Sequence, residues 1–125
     1  LYGDDIANVN LKKLVEKYLN FERKKIIITV YKKNSQYGHV QLDNNGTVIR
    51  FIEKPPHPLP INIGFYLMSR EILKKNFKYK LELENDFLPK ISKKKLLGSF
   101  EHKGYFYSIN DKKELLTARK KLKKL

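Results

Sequence analysis

An adjacent acid and base, Glu53 and Lys54, follow a short apolar segment and precede two prolines in the stretch RFIEKPPHPLP, residues 50–60. A carboxylate at such a proline-fixed corner can accept hydrogen bonds from sugar hydroxyls. The neighbouring ammonium can hold a phosphate through a charge-assisted hydrogen bond, worth roughly 1.5–3 kcal/mol. The alternative is a strand end that reaches solvent, where charged side chains are ordinary.

Asp4 is a second candidate because it follows a glycine, Gly3, at the carboxyl end of a presumed strand. Ligands of open α/β sheets bind in the crevice outside this end of the strands. The alternative is an aspartate that only caps the loop after it. The local sequence leaves both interpretations open.

Small and polar residues mark two further places. Tyr37-Gly38 opens a predicted hairpin, where a glycine lets a ligand approach backbone N–H groups closely, although an ordinary turn glycine would look the same. Asn62 and Gly64 interrupt an otherwise apolar strand. Because glycine weakens a strand interior, we expect a nearby group to need the space.

The composition excludes several kinds of site. The chain has no cysteine, which rules out a disulfide framework, a thiolate zinc site and a cysteine nucleophile. The three histidines are scattered, and the sequence has no Ser-His-Asp arrangement and no glycine-rich phosphate loop. The lack of cysteine is compatible with a reducing cytoplasm, which is the location that we expect.

The elements that must position these residues alternate between helix and strand. Apolar residues at helical spacing predict a helix over residues 11–19, capped by Asn8 or Asn10. A β-branched run at 25–30 predicts a strand covered on both faces. The Asn-Gly at 45–46, between two alternating apolar segments, predicts a hairpin.

The second half of the chain continues the alternation. The sequence predicts these elements in order: a strand at 61–68, a helix at 71–77 capped by Ser69, a short or kinked helix at 83–91 around Pro89, strands at 99–100 and 105–109, and a last helix capped by Asn110. This pattern indicates one α/β domain over residues 1–125, with a mixed, mostly parallel sheet, flanking helices and an inserted β-hairpin.

The chain is strongly basic, with 27 Lys and Arg against 13 Asp and Glu and a formal net charge of +14. Such a charge attracts polyanions, and a basic nucleic-acid-binding module is therefore one alternative. No stacking platform or recognition-helix pattern supports it, and a solvated lysine surface explains the charge as well. The apolar runs are too short to span a membrane, so we expect no membrane insertion.

The order of the motifs is more informative than any one of them. Gly-Asp at 3–4, Tyr-Gly at 37–38, Glu-Lys-Pro at 53–55, Asn-x-Gly-x-Tyr at 62–66 and Gly-Tyr-Phe at 104–106 follow one another before a final helix. This arrangement resembles the sugar-1-phosphate nucleotidyltransferases, above all the branch of mannose-1-phosphate and D-glycero-D-manno-heptose-1-phosphate guanylyltransferases. YGHVQLDNNGTVIRFIEKP and NIGFYLMSREIL are its most specific parts.

The resemblance implies a Rossmann-like fold and an Mg²⁺-assisted enzyme. It implies transfer of a nucleotidyl group, GMP from GTP, to a sugar 1-phosphate, with release of pyrophosphate, in nucleotide-sugar synthesis for cell-surface polysaccharide. It also implies roles for particular residues. Asp4 would hold the metal, and Asp4 and Lys54 would be the catalytic pair. The residues implied to bind the sugar phosphate are Tyr37, Gly38, Glu53, Lys54, Asn62 and Gly64.

Two departures from the family pattern shape the expectation. The Gly-rich signature with its Arg and later Lys, which cradles the triphosphate in this family, is not in the sequence. We therefore expect the chain to be the C-terminal, sugar-phosphate-binding portion, completed by an N-terminal half or a homo-oligomer. Ser108 also stands where the family usually has the second metal-binding aspartate, and Asp111 is expected at the helix start instead. A catalytically inactive sugar-phosphate-binding or regulatory domain is the resulting alternative.

Overall fold

A computed structural model describes residues 3–21, 26–76 and 81–123. The strands are β1 (Asp5–Ala7), β2 (Ile26–Tyr31), β3 (His39–Leu42), β4 (Val48–Ile52), β5 (Ile61–Leu67), β6 (Leu97–His102) and β7 (Phe106–Ser108). The helices are α1 (Leu11–Leu19), α2 (Arg70–Asn76), α3 (Leu88–Lys93) and α4 (Lys112–Leu122), and a π-helical turn (Leu83–Phe87) leads into α3. Residues 25 and 77, the ends of a predicted strand and helix, lie outside the described residues.

Strand β2 lies in the middle of a three-stranded sheet of order β5-β2-β6. It runs antiparallel to β5 and parallel to β6. Ile26 and Ile27 point to opposite faces of the sheet, and both are fully buried, so β2 is covered on both sides as its β-branched sequence predicts.

The predicted α/β class, with a mixed sheet and an inserted hairpin, is confirmed. Parallel pairing is less extensive than predicted, because β2–β6 is the one parallel pair among the described strands. The hairpin β3–β4 and the ribbon β1–β7 are antiparallel, and β5 returns antiparallel beside β2.

The main core forms where the π-helical turn and α3 pack on β2. Ile26, Phe87, Leu88 and Ile91 are its buried members. Pro89 falls in the first turn of α3, where its missing N–H removes no intrahelical hydrogen bond. The predicted short helix around Pro89 is confirmed, as two short pieces in succession.

Capping residues fix three of the helices. The side chain of Asn10 accepts a hydrogen bond from the backbone N of Lys13 at 2.9 Å, and Ser69 Oγ accepts from the backbone N of Ile72 at 3.2 Å, so both predicted caps are confirmed.

None of the helices in the described residues is long and apolar enough to cross a membrane.

The predicted cap of the last helix was wrong by one residue. Asp111, not Asn110, is the N-cap of α4, and its carboxylate accepts from the backbone N of Glu114 at 2.7 Å. The Glu114 carboxylate in turn accepts from the backbone N of Asn110 at 2.8 Å. This reciprocal pair satisfies two N–H groups at the helix start, as a capping box does, and it assigns Asp111 to the helix start as expected.

The hairpin β3–β4 is exposed along both strands. Val40 and Leu42 are each 53% exposed, and Phe51, which pairs with Val40, is 62% exposed. Its turn has the Asn-Gly that the sequence places there, and Gly46 adopts a φ of 82°. The predicted hairpin is confirmed, and it presents an apolar face to solvent.

Asp43 closes the hairpin turn with its carboxylate. The carboxylate accepts from the backbone N of Thr47 at 2.8 Å and from that of Asn45 at 2.9 Å. These hydrogen bonds, the one from Thr47 first, lower the pKa of Asp43 below its ordinary value. Because the charged form is favoured in the folded turn, its stabilisation is present above the ordinary pKa and is lost as the pH falls through the lowered one.

We therefore expect the amide resonances of Asn45 and Thr47 to titrate with a midpoint below the ordinary aspartate pKa. A two-dimensional NMR titration measures this midpoint. The matched control is Asp43→Asn, which keeps an acceptor oxygen but cannot titrate, so the transition should vanish. A midpoint at or above the ordinary value would contradict the hydrogen-bonded arrangement.

Candidate functional site

The ribbon β1–β7 brings residues 5–7 next to residues 106–108. Its register pairs Asp5 with Ser108 and Ala7 with Phe106, and the backbone N of Ile109 donates to the carbonyl of Asp4 at 2.9 Å. The Gly-Asp motif and the Gly-Tyr-Phe motif, far apart in the sequence, thus meet side by side.

A cleft of about 450 Å³ opens next to this ribbon. Among its lining residues are Asp4, Asn62 and Ser108, which the sequence singled out, and Asp5, Lys33 and Glu114, which it did not. The structure thus brings the candidate metal ligand, one candidate sugar-binding residue and Ser108, where the resemblance implies a second metal ligand, into one cavity.

Asp5 is an acid of this cleft whose pKa is shifted by its surroundings. Partial burial raises its pKa above the ordinary value, and the adjacent Asp4 carboxylate raises it further. A hydrogen bond from the Ser108 hydroxyl and the positive charge of Lys33 act in the opposite direction. The cleft is therefore a place where two carboxylates, a hydroxyl and an ammonium act on one another.

The donor set of the cleft suits Mg²⁺ in part. Asp4 and Asp5 offer carboxylate oxygens and Ser108 a hydroxyl oxygen, and a hard cation prefers oxygen ligands. No group of three or more His, Cys, Asp or Glu with metal-binding geometry occurs in the described residues. A magnesium ion here would therefore take its remaining ligands from water and from substrate phosphates, as Mg²⁺ often does.

Gly38 and Glu53 approach each other at the base of the hairpin. A Cβ added at Gly38 would lie 2.6 Å from the ring of Phe51 and 3.1 Å from Glu53 Oε2. The absence of a side chain at 38 is thus what allows the Glu53 carboxylate to sit so close to the backbone. Tyr37 next to it is 76% exposed.

Lys54 occupies an unusual backbone conformation. Its φ is 45°, in the left-handed region that a non-glycine residue rarely adopts, and it directly precedes Pro55. Such strain costs about 1–3 kcal/mol and is found most often at functional sites. The Lys54 ammonium lies 3.7 Å from the Glu53 carboxylate, and each side chain is 62% exposed.

The corner at 53–57 is tied to the segment that leads into the cleft. The backbone N of Ser35 donates to the carbonyl of Pro55 at 2.7 Å, and that of His57 donates to the carbonyl of Lys33 at 2.8 Å. However, Gly38, Glu53 and Lys54 are not among the described residues that line the cleft with Asp4. The predicted site therefore falls into two neighbouring groups, joined by residues 33–36.

Asn62 and Gly64 are explained in part by the backbone. Gly64 has a φ of 73° and lies where the pairing of β5 with β2 shifts register, which is a β-bulge. Asn62 accepts from the backbone N of Gly64 at 3.2 Å and donates to the hydroxyl of Tyr66 at 2.6 Å. The glycine is thus required by the bulge itself, and the bulge carries Asn62 at the cleft.

The sequence of the chain matches a family model and several known proteins. A family model described as nucleotidyl transferase matches residues 1–123. The chain is 28% identical over 120 residues to the mannose-1-phosphate guanylyltransferase catalytic subunit beta of Drosophila melanogaster, covering 94% of this chain and 32% of that protein. It is 30% identical over 96 residues to the mannose-1-phosphate guanyltransferase of Schizosaccharomyces pombe, covering 74% of this chain and 26% of that protein.

The fold of the chain is also similar to that of solved structures. HddC from Yersinia pseudotuberculosis is similar with a TM-score of 0.64 and 26% identity, covering 96% of this chain and 52% of HddC. A second HddC structure, with the same TM-score of 0.64, is a complex with GMP-PN. The chain spans about a third of the length of the Drosophila relative, about a quarter of the Schizosaccharomyces relative and about half of HddC.

Proposed function

Since the chain belongs to the nucleotidyl transferase family, we propose that it takes part in transferring GMP from GTP to a sugar 1-phosphate. In this reaction a phosphate oxygen of the sugar 1-phosphate bonds to the α-phosphorus of GTP. The bond between the α-phosphorus and the oxygen that bridges it to the β-phosphorus breaks, and pyrophosphate leaves. Such a transfer asks a protein mainly to position the reactants and offset their negative charge.

The observation that carries this proposal is the shared cleft of Asp4, Asn62 and Ser108. An acid for a metal, an amide for sugar hydroxyls and a cation, Lys33, converge there from three separate parts of the chain. The names of the relatives and of HddC in complex with GMP-PN favour a guanine nucleotide.

In our proposal each candidate residue binds a particular part of the reactants or the metal. Asp4 holds Mg²⁺, with Asp5 beside it, and the ion when bound neutralises phosphate charge. Asn62 binds sugar hydroxyls within the cleft. Glu53 and the backbone N–H of Gly38 bind the sugar at the adjoining corner, with Tyr37 at its rim, and Lys54 holds phosphate charge there.

The domain organisation and the use of the product belong to the same proposal. We propose that the 125 residues form one sugar-phosphate-binding domain. The nucleotide is held by polypeptide outside them, in an N-terminal half or a second copy, because the chain spans about half of HddC. The product serves nucleotide-sugar and polysaccharide synthesis in the cytoplasm, where GTP is supplied.

Calorimetric titration of the chain with mannose 1-phosphate, glucose 1-phosphate and mannose tests the proposal. We expect a sugar 1-phosphate to bind at least ~10-fold more tightly than the free sugar, because one charge-assisted hydrogen bond to phosphate is worth that much. Asn62→Ala should weaken the binding of both sugar phosphate and sugar, since it removes a hydroxyl partner. Equal affinity for phosphorylated and free sugar would contradict the proposal.

A second candidate function is favoured by Ser108, whose hydroxyl is engaged with Asp5 and accepts from Asn110 Nδ2 at 3.3 Å. With a neutral group there, the domain could bind sugar phosphate without catalysis. The same titrations with and without Mg²⁺ separate the two candidates. Tighter binding with Mg²⁺ supports the transferase, and affinity that does not change with Mg²⁺ supports a binding domain.

A further inference from the structure

Lys33 differs in its burial from the other lysines and arginines that the structure describes. It is half-buried, whereas every other lysine and arginine of the described residues is exposed. Lysine is mostly exposed in folded proteins, and a half-buried lysine packs its stem against its neighbours while its ammonium stays accessible. It lies in the segment 33–36 that connects the cleft to the corner at 53–57.

Its surroundings are those of a binding residue. Lys33 lines the cleft that contains Asp4 and Ser108, and it also lines an adjoining cavity of about 560 Å³ walled by Tyr105 and Tyr107. Its charge acts on the Asp5 carboxyl, yet it forms no ion pair in the described part of the chain. Its ammonium is therefore available to an anion entering from either side.

The neighbouring lysine shows the contrast. Lys32 is exposed, with 71% of its side chain accessible, and its ammonium lies 3.3 Å from the Glu101 carboxylate. Lys54, the cation that the sequence motif favours, is 62% exposed and close to Glu53, and it does not line this cleft. Neither places a cation beside Asp4 as Lys33 does.

We infer that Lys33 is a second residue, besides Lys54, that binds the phosphate group of the sugar 1-phosphate, from within the cleft of Asp4 and Asn62. The inference rests on the proposed function and adds to it a phosphate-binding residue. A phosphate brought next to two carboxylates is repelled by both, and a protein cation that lines the same cleft offsets that repulsion. An ammonium between the two cavities meets this need while Asn62 holds the sugar.

Titration of four variants with mannose 1-phosphate, mannose and inorganic phosphate tests the inference. Lys33→Gln should weaken mannose 1-phosphate binding by at least ~10-fold and leave mannose binding unchanged, because only the phosphate contact is lost. Lys33→Arg should retain most of the affinity. The matched control Lys32→Gln should change it by less than ~2-fold, as expected for an exposed, screened charge. Lys54→Gln should also weaken it, because Lys54 is proposed to hold phosphate charge at the adjoining corner.

The outcomes distinguish this inference from the proposed function. If the chain binds mannose 1-phosphate but Lys33→Gln and Lys32→Gln behave alike, the assignment of Lys33 is overturned and the proposed function stands. If the chain binds inorganic phosphate through Lys33 without preferring the sugar phosphate, the proposed substrate is overturned and the phosphate site stands. If neither ligand binds, both are overturned. Thermal unfolding of each variant establishes that it is folded.

Discussion

Replacing Asp4 with asparagine is expected to weaken Mg²⁺ binding, measured in the presence of a sugar 1-phosphate, on the order of 100-fold. The substitution keeps the size of the side chain and one oxygen but removes the negative charge. Within the described residues few other donors could compensate, because no cluster of three acidic or histidine side chains occurs there. Calorimetry with Mg²⁺, or electron paramagnetic resonance with Mn²⁺, measures the loss directly.

The control for this variant is Asp43→Asn. It removes the same charge from the hairpin turn, where Asp43 bonds only backbone N–H groups, and it should leave metal binding unchanged. Asp5→Asn forms a third arm, since Asp5 lines the same cleft. If Asp4→Asn binds the metal as tightly as Asp43→Asn does, Asp4 is not a metal ligand.

Local chemistry made much of the fold predictable. Asn10 and Ser69 are caps because their short side chains reach a backbone N–H three residues on, and that geometry depends on nothing distant. The hairpin around Gly46 is equally local, since glycine is the residue that tolerates its positive φ. Sequence reasoning failed where two adjacent residues could both cap, as with Asn110 and Asp111.

The site was less predictable because it is assembled over long distances. Asp5 and Ser108 meet only through the pairing of β1 with β7, and no local pattern announces that pairing. Lys33 enters the cleft because the corner at 55–57 bonds to residues 33–35. The sequence alone does not distinguish Lys33 from the other lysines, because its partial burial is visible only in the structure. The two adjacent carboxylates, Asp4 and Asp5, were the one local signal in the sequence that could have pointed to Asp5 as a site residue.

The share of parallel strands illustrates the same limit. The alternation of strands and helices predicts an α/β fold, but it does not fix the direction in which each strand enters the sheet. β5 returns antiparallel beside β2, after the hairpin and the proline-rich segment have reversed the chain. Strand direction depends on how a connection packs, and composition reports little of that.

Replacing Ser108 with aspartate is expected to make the stability of the domain depend more strongly on Mg²⁺. Ser108 lies directly opposite Asp5 in the ribbon, and like charges at such a position destabilise the pair. Without metal we therefore expect Ser108→Asp to unfold at a lower temperature than the parent, because its free energy of unfolding falls by about 1 kcal/mol. With Mg²⁺ the order should reverse, because the added carboxylate raises metal affinity at least ~10-fold.

Thermal unfolding of the parent, Ser108→Asp and Ser108→Asn with and without Mg²⁺ reveals this crossing. Asparagine has nearly the shape of aspartate but no charge, so the unfolding temperature of Ser108→Asn should respond to Mg²⁺ no more than that of the parent. If the Asp and Asn variants respond alike, position 108 does not face the metal, and Ser108 cannot be the substitution that limits this site. If they diverge, the cleft retains the geometry of a two-carboxylate magnesium site. In that case the neutral hydroxyl of Ser108 is the one difference between the metal-binding side chains of this cleft and those usual in the family.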